Sequence, residues 1–324
     1  MILAGIDIGT NTLRLLIADT GPGYFQELIS DRRITRLGQD IDRCSVLTPE
    51  AMERSFNALV AFQKSIQQQG ARHISAIGTS ALRKARNASV FIERVRAQTG
   101  LVVNVISGEE EARLTLLGVE QSLSTPNGRS SNTLADAFVM DIGGGSTEII
   151  RTQSDKKPVI ASLSLGAVYL HDEFIKHDPP SPVDLARLRN AVCEVLDACT
   201  ETIQPAMNSI CIGTAGTITS LAAICQGLEQ YDTEKINRSV LSLEFINTIV
   251  VKLEASTLEE RRKIRGLEKG REDIILPGAI IAQEIMHRFG FFSILVSEGG
   301  LREGIVIDLF ERLNKDNQMR YTQI

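Results

Sequence analysis

The sequence predicts an α/β protein of two related lobes, and three observations carry that expectation. Strand-length apolar runs alternate with helix-length segments along the chain. The segment GIDIGTNTLRLLI near the N-terminus matches FVMDIGGGSTEII without a gap, so that Asp7 falls on Asp141, Gly9 on Gly143 and Thr12 on Ser146, 134 residues downstream. A chain of 324 residues holds about two domains, each able to bury its own core. A repeat at that distance is too long for a solenoid unit. It suits two lobes that each open on a strand, turn, strand device, with a cleft between them facing both turns.

The elements follow from local pattern. ILAGIDI and LRLLIAD have strand length and are separated by the small polar residues Gly9 to Thr12, a hairpin with a tight loop. Thr48 and Pro49 offer a cap followed by proline in the first turn, Leu59, Phe62 and Ile66 lie at helical spacing, and Gly70 stops the helix. A strand over 72–78, helices through 80–99, a strand over 101–106 and a helix over 108–121 complete the first half. STPNGRSSNTLAD, 124–136, is rich in Ser, Asn, Pro and Gly and reads as the loop between lobes. Beyond the second hairpin we expect a strand over 158–165, helices over 167–177 and 182–203, a strand over 208–213 and a helix from 216. Charged helices over 243–265, an apolar helix over 272–289, a strand over 291–297 and a last helix follow.

Composition narrows the function classes. Hydrophobic residues make up 43% and charged residues 23% of the chain, which describes a globular protein rather than a disordered one or a membrane bundle. The net charge of -5 supplies no overall positive field for a nucleic-acid backbone. The five cysteines include no C-x-x-C pair and read as reduced core thiols. MILAGIDIGTN has no basic start and reaches Asp7 early, so we expect neither a signal nor a transit peptide, and a cytoplasmic location. Residues 202–228 carry no charge, yet Pro205, Gly213 and Gly216 interrupt them, so strand, turn and buried helix is the expectation rather than a membrane span.

Several motifs bear on chemistry. DIGTNT and DIGGGST place glycines where the backbone bends sharply and main-chain N–H groups point into the turn, a nest for phosphate oxygens, although Gly with Asp is also ordinary hairpin chemistry. Asp141 and Glu148 lie across the second hairpin and could share a magnesium ion or another divalent cation. In VISGEEEARL, Ser107 and Glu110 make a capping box and helix stability accounts for Glu109 and Glu110; Glu111, one position later, is either a further first-turn acid or a general base. Arg83 and Arg86 near a helix start form either an anion site or a solvated pair. IGTAGTITS repeats the strand, turn, helix pattern; Gly213, Gly216 and Thr217 hold another phosphate or nucleoside, or serve close packing. His171-Asp172 and His177-Asp178 lack the spacing and the further ligand of a metal site. The run Arg261, Arg262, Lys263, Arg265, Lys269, Arg271 is expected to be a solvated helix face, with a track for a long polyanion as the other reading.

IDIGTNT, GTSALRKARN, ISGEEEARL, DIGGGSTE, GTAGT and SEGGLREG, in this order over residues 4–309, resemble the exopolyphosphatase and guanosine pentaphosphate phosphatase (Ppx/GppA) family. DIGGGSTE together with EEEAR is specific; either glycine turn alone indicates only the wider actin-like ATPase superfamily. The resemblance implies two ribonuclease-H-like lobes, 1–123 completed by the C-terminal helix 300–324 and 135–299, with the active site between them. It implies hydrolysis of the terminal phosphoanhydride of inorganic polyphosphate or of the 5'-phosphate of pppGpp, with magnesium.

By the same resemblance Glu111 matches the catalytic glutamate and Arg83 a basic residue near the substrate. Gly9, Thr10, Asn11, Gly143, Gly144, Gly145 and Ser146 match phosphate-binding turns. Asp141 and Glu148 match acids of metal binding and catalysis, and Asp7 joins them as a metal candidate. Longer members carry a further helical region, so the short two-domain form is expected. SEGGLREG departs from relatives that often show Asp-Arg at Glu298 and Gly299. The implied partners are polyphosphate or guanosine penta- and tetraphosphate, with neither nucleic acid nor membrane and with a homodimer as candidate assembly. A kinase or ATPase in the same cleft and a non-hydrolytic sensor of (p)ppGpp or polyphosphate are the rival readings.

Overall fold

A computed structural model describes residues 1–124, 134–154 and 156–321. By its internal contacts the chain divides into two compact units, Met1–Gln121 with Gly300–Ile324, and Ser122–Gly299.

In the first unit β1 (Ile2–Ile8), β2 (Thr12–Gly21) and β3 (Tyr24–Ile34) form an antiparallel meander. They are followed by α1 (Ile41–Cys44), α2 (Pro49–Gln69), β4 (His73–Gly78), α3 (Ser80–Lys84), α4 (Ala88–Thr99), β5 (Val103–Val105) and α5 (Gly108–Leu123). The sheet order is β3-β2-β1-β4-β5, with β4 and β5 parallel to β1. Helix α2 forms as its sequence dictates. Thr48 Oγ1 accepts from Ala51 N at 3.2 Å, Gly70 closes the last turn at φ 70°, and Leu59, Phe62 and Ile66 are buried.

Strand β3 is absent from the sequence expectation, because Tyr24–Ile34 is polar and holds an edge position that needs little apolar surface. The C-terminal helix, Leu301–Tyr321, packs on β1, β2 and β4 through glycines. A Cβ at Gly5 would stand 2.8 Å from Val306 Cγ2, one at Gly118 would collide with the Gly300 carbonyl, and one at Gly304 with the Leu114 carbonyl. Only bare backbone permits α5 and the C-terminal helix to approach this closely.

The second unit contains β6 (Ala137–Ile142), β7 (Thr147–Arg151), β8 (Val159–Leu163), α6 (Ala167–Phe174), α7 (Pro182–Thr200), β9 (Ile210–Thr214) and α8 (Ala215–Cys225). It continues with α9 (Thr233–Ile236), β10 (Val240–Ser242), α10 (Leu243–Glu254), α11 (Leu258–Arg261), α12 (Ile275–Phe289) and β11 (Ser293–Val296). Its sheet order, β10-β11-β9-β6-β7-β8, contains the plan of the first: an antiparallel meander β6-β7-β8, then β9 and β11 parallel to β6. β10 adds one antiparallel edge strand. The sequence repeat is therefore a repeat of topology, and each unit has the ribonuclease-H-like order. Helix α12 is buried along most of its length, and Phe138 packs its ring 4.7 Å from Phe289 and 5.1 Å from Phe291.

Other expectations are corrected. The basic run 261–271 is not one solvated face: Arg261 is 1% exposed, donating to the carbonyls of Leu253 and Glu272, and Arg271 is buried too. The uncharged stretch 202–228 contains the 11-residue α8, and among the described residues no helix is long and apolar enough to cross a membrane. The five cysteines are free, but Cys225 is exposed rather than core. Most of the loop expected at 124–136 lies outside the described residues.

Candidate functional site

In the first unit the β1–β2 turn is closed by Gly9 N donating to Thr12 O at 3.2 Å. A segment behind it takes up its carbonyls: Asn11 O accepts from Thr35 N (3.0 Å) and Arg36 N (2.9 Å), and Thr10 O from Gly38 N (2.9 Å). The N–H groups of Thr10 and Asn11 donate to no described residue. With its acceptors satisfied from behind, the turn presents donors, which is the polarity an anion requires.

The second unit repeats this arrangement. Gly143 N donates to Ser146 O at 3.0 Å, and the first N–H groups of α6 donate into the turn, Ala167 N to Gly143 O at 3.0 Å and Val168 N to Gly144 O at 2.9 Å. The N–H groups of Gly144 and Ser146 donate to no described residue. A Cβ at Gly166 would collide with the Gly144 carbonyl and with Gly145, so Gly166 is required for the fit. Gly166 did not stand out in the sequence, since nothing in LSLGAV announces contact with a turn some 20 residues earlier.

The acids differ between the units. Asp141 and Glu148 are directly opposite in the β6–β7 register, 8% and 1% exposed, and Glu148 Oε1 accepts from Ser162 Oγ at 2.8 Å. Opposed residues of an antiparallel pair share a face, so two buried carboxylates adjoin the glycine turn, a hard oxygen donor set that fits a small divalent cation. Asp7 stands opposite Arg14 instead. The paired-acid arrangement thus belongs to the second unit, and Arg14 is a site-adjacent residue that the sequence reading passed over. Among the described residues no group of three or more His, Cys, Asp or Glu could hold a metal ion, so further ligands would have to come from substrate and water.

Glu111, in the first turn of α5 and 8% exposed, accepts from Arg83 Nη1 at 3.1 Å, and the same Nη1 donates to Ile106 O at 2.8 Å. Arg83 therefore clamps the candidate base against the end of β5. Of the expected capping box one half forms: Glu110 N donates to Ser107 Oγ at 3.1 Å, but the Glu110 carboxylate turns instead to a two-pronged pair with Arg113, whose guanidinium is the stronger donor. That pair holds the Glu110 carboxyl below its ordinary range. Arg86 donates to Cys44 O, a structural use rather than an anion site.

At the carboxyl end of β9, Thr214 leads into Ala215, which has φ 66°, a left-handed conformation that an alanine adopts only under constraint. A Cβ at Gly216 would collide with the Arg271 guanidinium, so this glycine admits a buried cation to the first turn of α8. Gly213 and Thr217 serve packing: a Cβ at Gly213 would meet Ile294 at 2.7 Å, and Thr217 lies against Gly278. His177 Nδ1 pairs with Asp184 at 2.9 Å, and His171 Nδ1 with Asp172 at 3.0 Å.

A duplicated ribonuclease-H-like fold whose glycine turns offer amide donors beside buried acids defines a phosphoryl-handling enzyme. The chain belongs to the Ppx/GppA phosphatase family, whose sequence profile matches residues 16–313, and is by class a phosphoanhydride hydrolase. It is similar to exopolyphosphatase 2 of Mycobacterium tuberculosis, with 32% identity over 322 residues covering 95% of this chain and 98% of that protein. The crystal structure of the Aquifex aeolicus member of the Ppx/GppA family shares 31% identity at a TM-score of 0.78, covering 97% of this chain and 98% of that one. An exopolyphosphatase from Cytophaga hutchinsonii shares 30% identity at a TM-score of 0.85, covering 96% and 98%.

Proposed function

We propose that this chain removes the terminal phosphate of inorganic polyphosphate by attack of water, assisted by magnesium. The observation that carries this reading is the second-unit turn, in which the Gly143 and Gly144 carbonyls are taken by α6, the Gly144 and Ser146 amides donate to no described residue, and two buried carboxylates stand opposite each other at its base. In the second unit the N–H groups of Gly144 and Ser146 hold phosphate oxygens, and in the first unit those of Thr10 and Asn11 offer a donor set of the same kind. Asp141 and Glu148 would hold the magnesium ion, which supplies positive charge against the phosphate oxygens when bound. Glu111 orients the attacking water and takes its proton, while Arg83 fixes the carboxylate that does so. The similarity to proteins named exopolyphosphatase supports polyphosphate as substrate. A second reading, pppGpp, presents the same terminal anhydride.

The test is phosphate release from polyphosphates of several lengths, pppGpp and ATP, with and without magnesium, for the native chain and for Glu111→Gln. We expect magnesium-dependent release from polyphosphate, and a loss of about 10²–10⁴-fold in kcat for the variant at little change in KM. A variant that releases phosphate at the native rate refutes the role of Glu111. Tight binding with no release from any of these compounds would make the chain a sensor.

A further inference from the structure

The strand registers align four side chains in a row across the second-unit sheet. Thr214 of β9 pairs with Asp141 of β6, Asp141 with Glu148 of β7, and Glu148 with Ser162 of β8. Registered neighbours share a face about 5 Å apart, so the row carries a side-chain oxygen on every strand. The first unit aligns Ile77, Asp7, Arg14 and Arg32 at the corresponding positions. The topology repeats but the row does not: the second-unit row contains no cationic side chain and ends in a hydroxyl.

The two hydroxyls that flank the acids differ in what they do. Thr214 Oγ1 donates away from the acids, to Gly299 O at 2.9 Å. Ser162 Oγ donates to Glu148 Oε1 at 2.8 Å. Glu148 is buried, whereas Ser162 stands exposed on the edge strand. The hydroxyl therefore reaches inward from the rim to a carboxylate that burial has stripped of most of its water.

A donor on one oxygen decides how a carboxylate meets a cation. With Oε1 engaged by Ser162, coordination through both oxygens of Glu148 competes with that hydrogen bond, and coordination through one oxygen does not. Magnesium is small and demands a near-octahedral shell, which suits one oxygen per carboxylate; calcium is larger and readily takes both. We propose that Ser162 is a positioning residue that holds Glu148 for one-oxygen coordination and so favours magnesium over calcium. The proposal rests on the reading that Asp141 and Glu148 hold the cation, and adds the residue that sets which cation they prefer.

The test is titration of the full chain with manganese, followed by electron paramagnetic resonance, with magnesium and calcium as competing ions. The native chain should bind magnesium more tightly than calcium. Ser162→Ala should weaken manganese and magnesium binding about tenfold and calcium binding less, so that the preference for magnesium narrows about threefold or more. Ser162→Thr keeps the hydroxyl on a residue suited to a strand and should restore the native preference. Because Ser162 is exposed at a sheet edge, urea midpoints of both variants should stay close to native.

Native affinities in Ser162→Ala would overturn the proposal, since water would then serve in place of the hydroxyl. So would a native chain without preference between the ions, or equal losses of magnesium and calcium in Ser162→Ala, the mark of a merely structural residue. Glu148→Gln separates the proposal from the reading beneath it. Ions lost in Glu148→Gln but untouched in Ser162→Ala would refute the role of Ser162 alone. Ions retained in Glu148→Gln would refute the placement of the cation, and the proposal with it. Binding is read directly, so neither result depends on phosphate release.

Discussion

Removing the Arg83 guanidinium tests how the candidate base is held. Its Nη1 bridges the Glu111 carboxylate at 3.1 Å and the Ile106 carbonyl at 2.8 Å, and the pair is mostly shielded, with side-chain exposures of 29% and 11%. A hydrogen bond to a charged group at such a place contributes about 1.5–3 kcal/mol. If that energy keeps Glu111 in its working orientation, Arg83→Ala should lower kcat by about 10- to 150-fold. KM should stay within about twofold, because an orienting contact is lost and not a substrate contact. Arg83→Lys keeps the charge but cannot span both acceptors in the same geometry, and should fall between the two. The assay is steady-state phosphate release across a substrate range at saturating magnesium. A rise in KM at unchanged kcat would show that Arg83 grips substrate, and a native profile would show that the clamp is irrelevant; either result refutes the reasoning.

Three further outcomes follow from the geometry. Gly166→Ala drives a Cβ into the Gly144 carbonyl and Gly145. It should raise KM for the phosphate substrate about tenfold or more while costing about 1–3 kcal/mol in stability, measured by the same kinetics and by urea titration. Gly304→Ala pushes α5 from the C-terminal helix at Leu114 and should lower the urea midpoint by an equivalent of about 1–3 kcal/mol; an unchanged midpoint would mean the helices separate freely.

The third concerns Asp184. Burial opposes its ionisation, but hydrogen bonds from His177, Ser181 N and Lys176 N outweigh burial and leave its carboxyl at about 2 against an ordinary 3.8. A depressed folded value contributes stability that is present above pH 4 and lost as pH falls toward 2, about 2 kcal/mol in all. Asp184→Asn should therefore destabilise the chain at pH 7 by that order and flatten the decline between pH 4 and 2. An identical acid decline in the variant would sink the assignment.

The features legible in the sequence were those written in neighbouring residues. Thr48, Pro49 and Gly70 bracket α2 because caps act within one turn, and the gapless match of the two hairpins carried over to the duplicated sheet order. What sequence could not reveal depends on partners far along the chain. Arg261 and Lys263 read alike in a basic run, yet one is buried against the carbonyls of Leu253 and Glu272 and the other pairs with Glu259 at the surface. The Arg83–Glu111 contact joins residues 28 apart, and the opposition of Arg14 to Asp7 needs the strand register, which only the folded hairpin sets. Gly166 shows the same limit: its glycine answers to the backbone of another segment, not to its own turn.

The placement of Leu301–Tyr321 has a consequence for synthesis. Leu3, Leu16 and Ala18 form a buried cluster with Val306, and Ile77 and Leu114 another with Leu301 and Ile305. Until residues 301–321 leave the ribosome, these β1, β2, β4 and α5 side chains lack their cover, whereas residues 122–299 form one continuous piece that precedes that helix. The second unit thus needs no later segment to close its core, whereas the first waits, with apolar strands bare, for residues 301–321 to arrive.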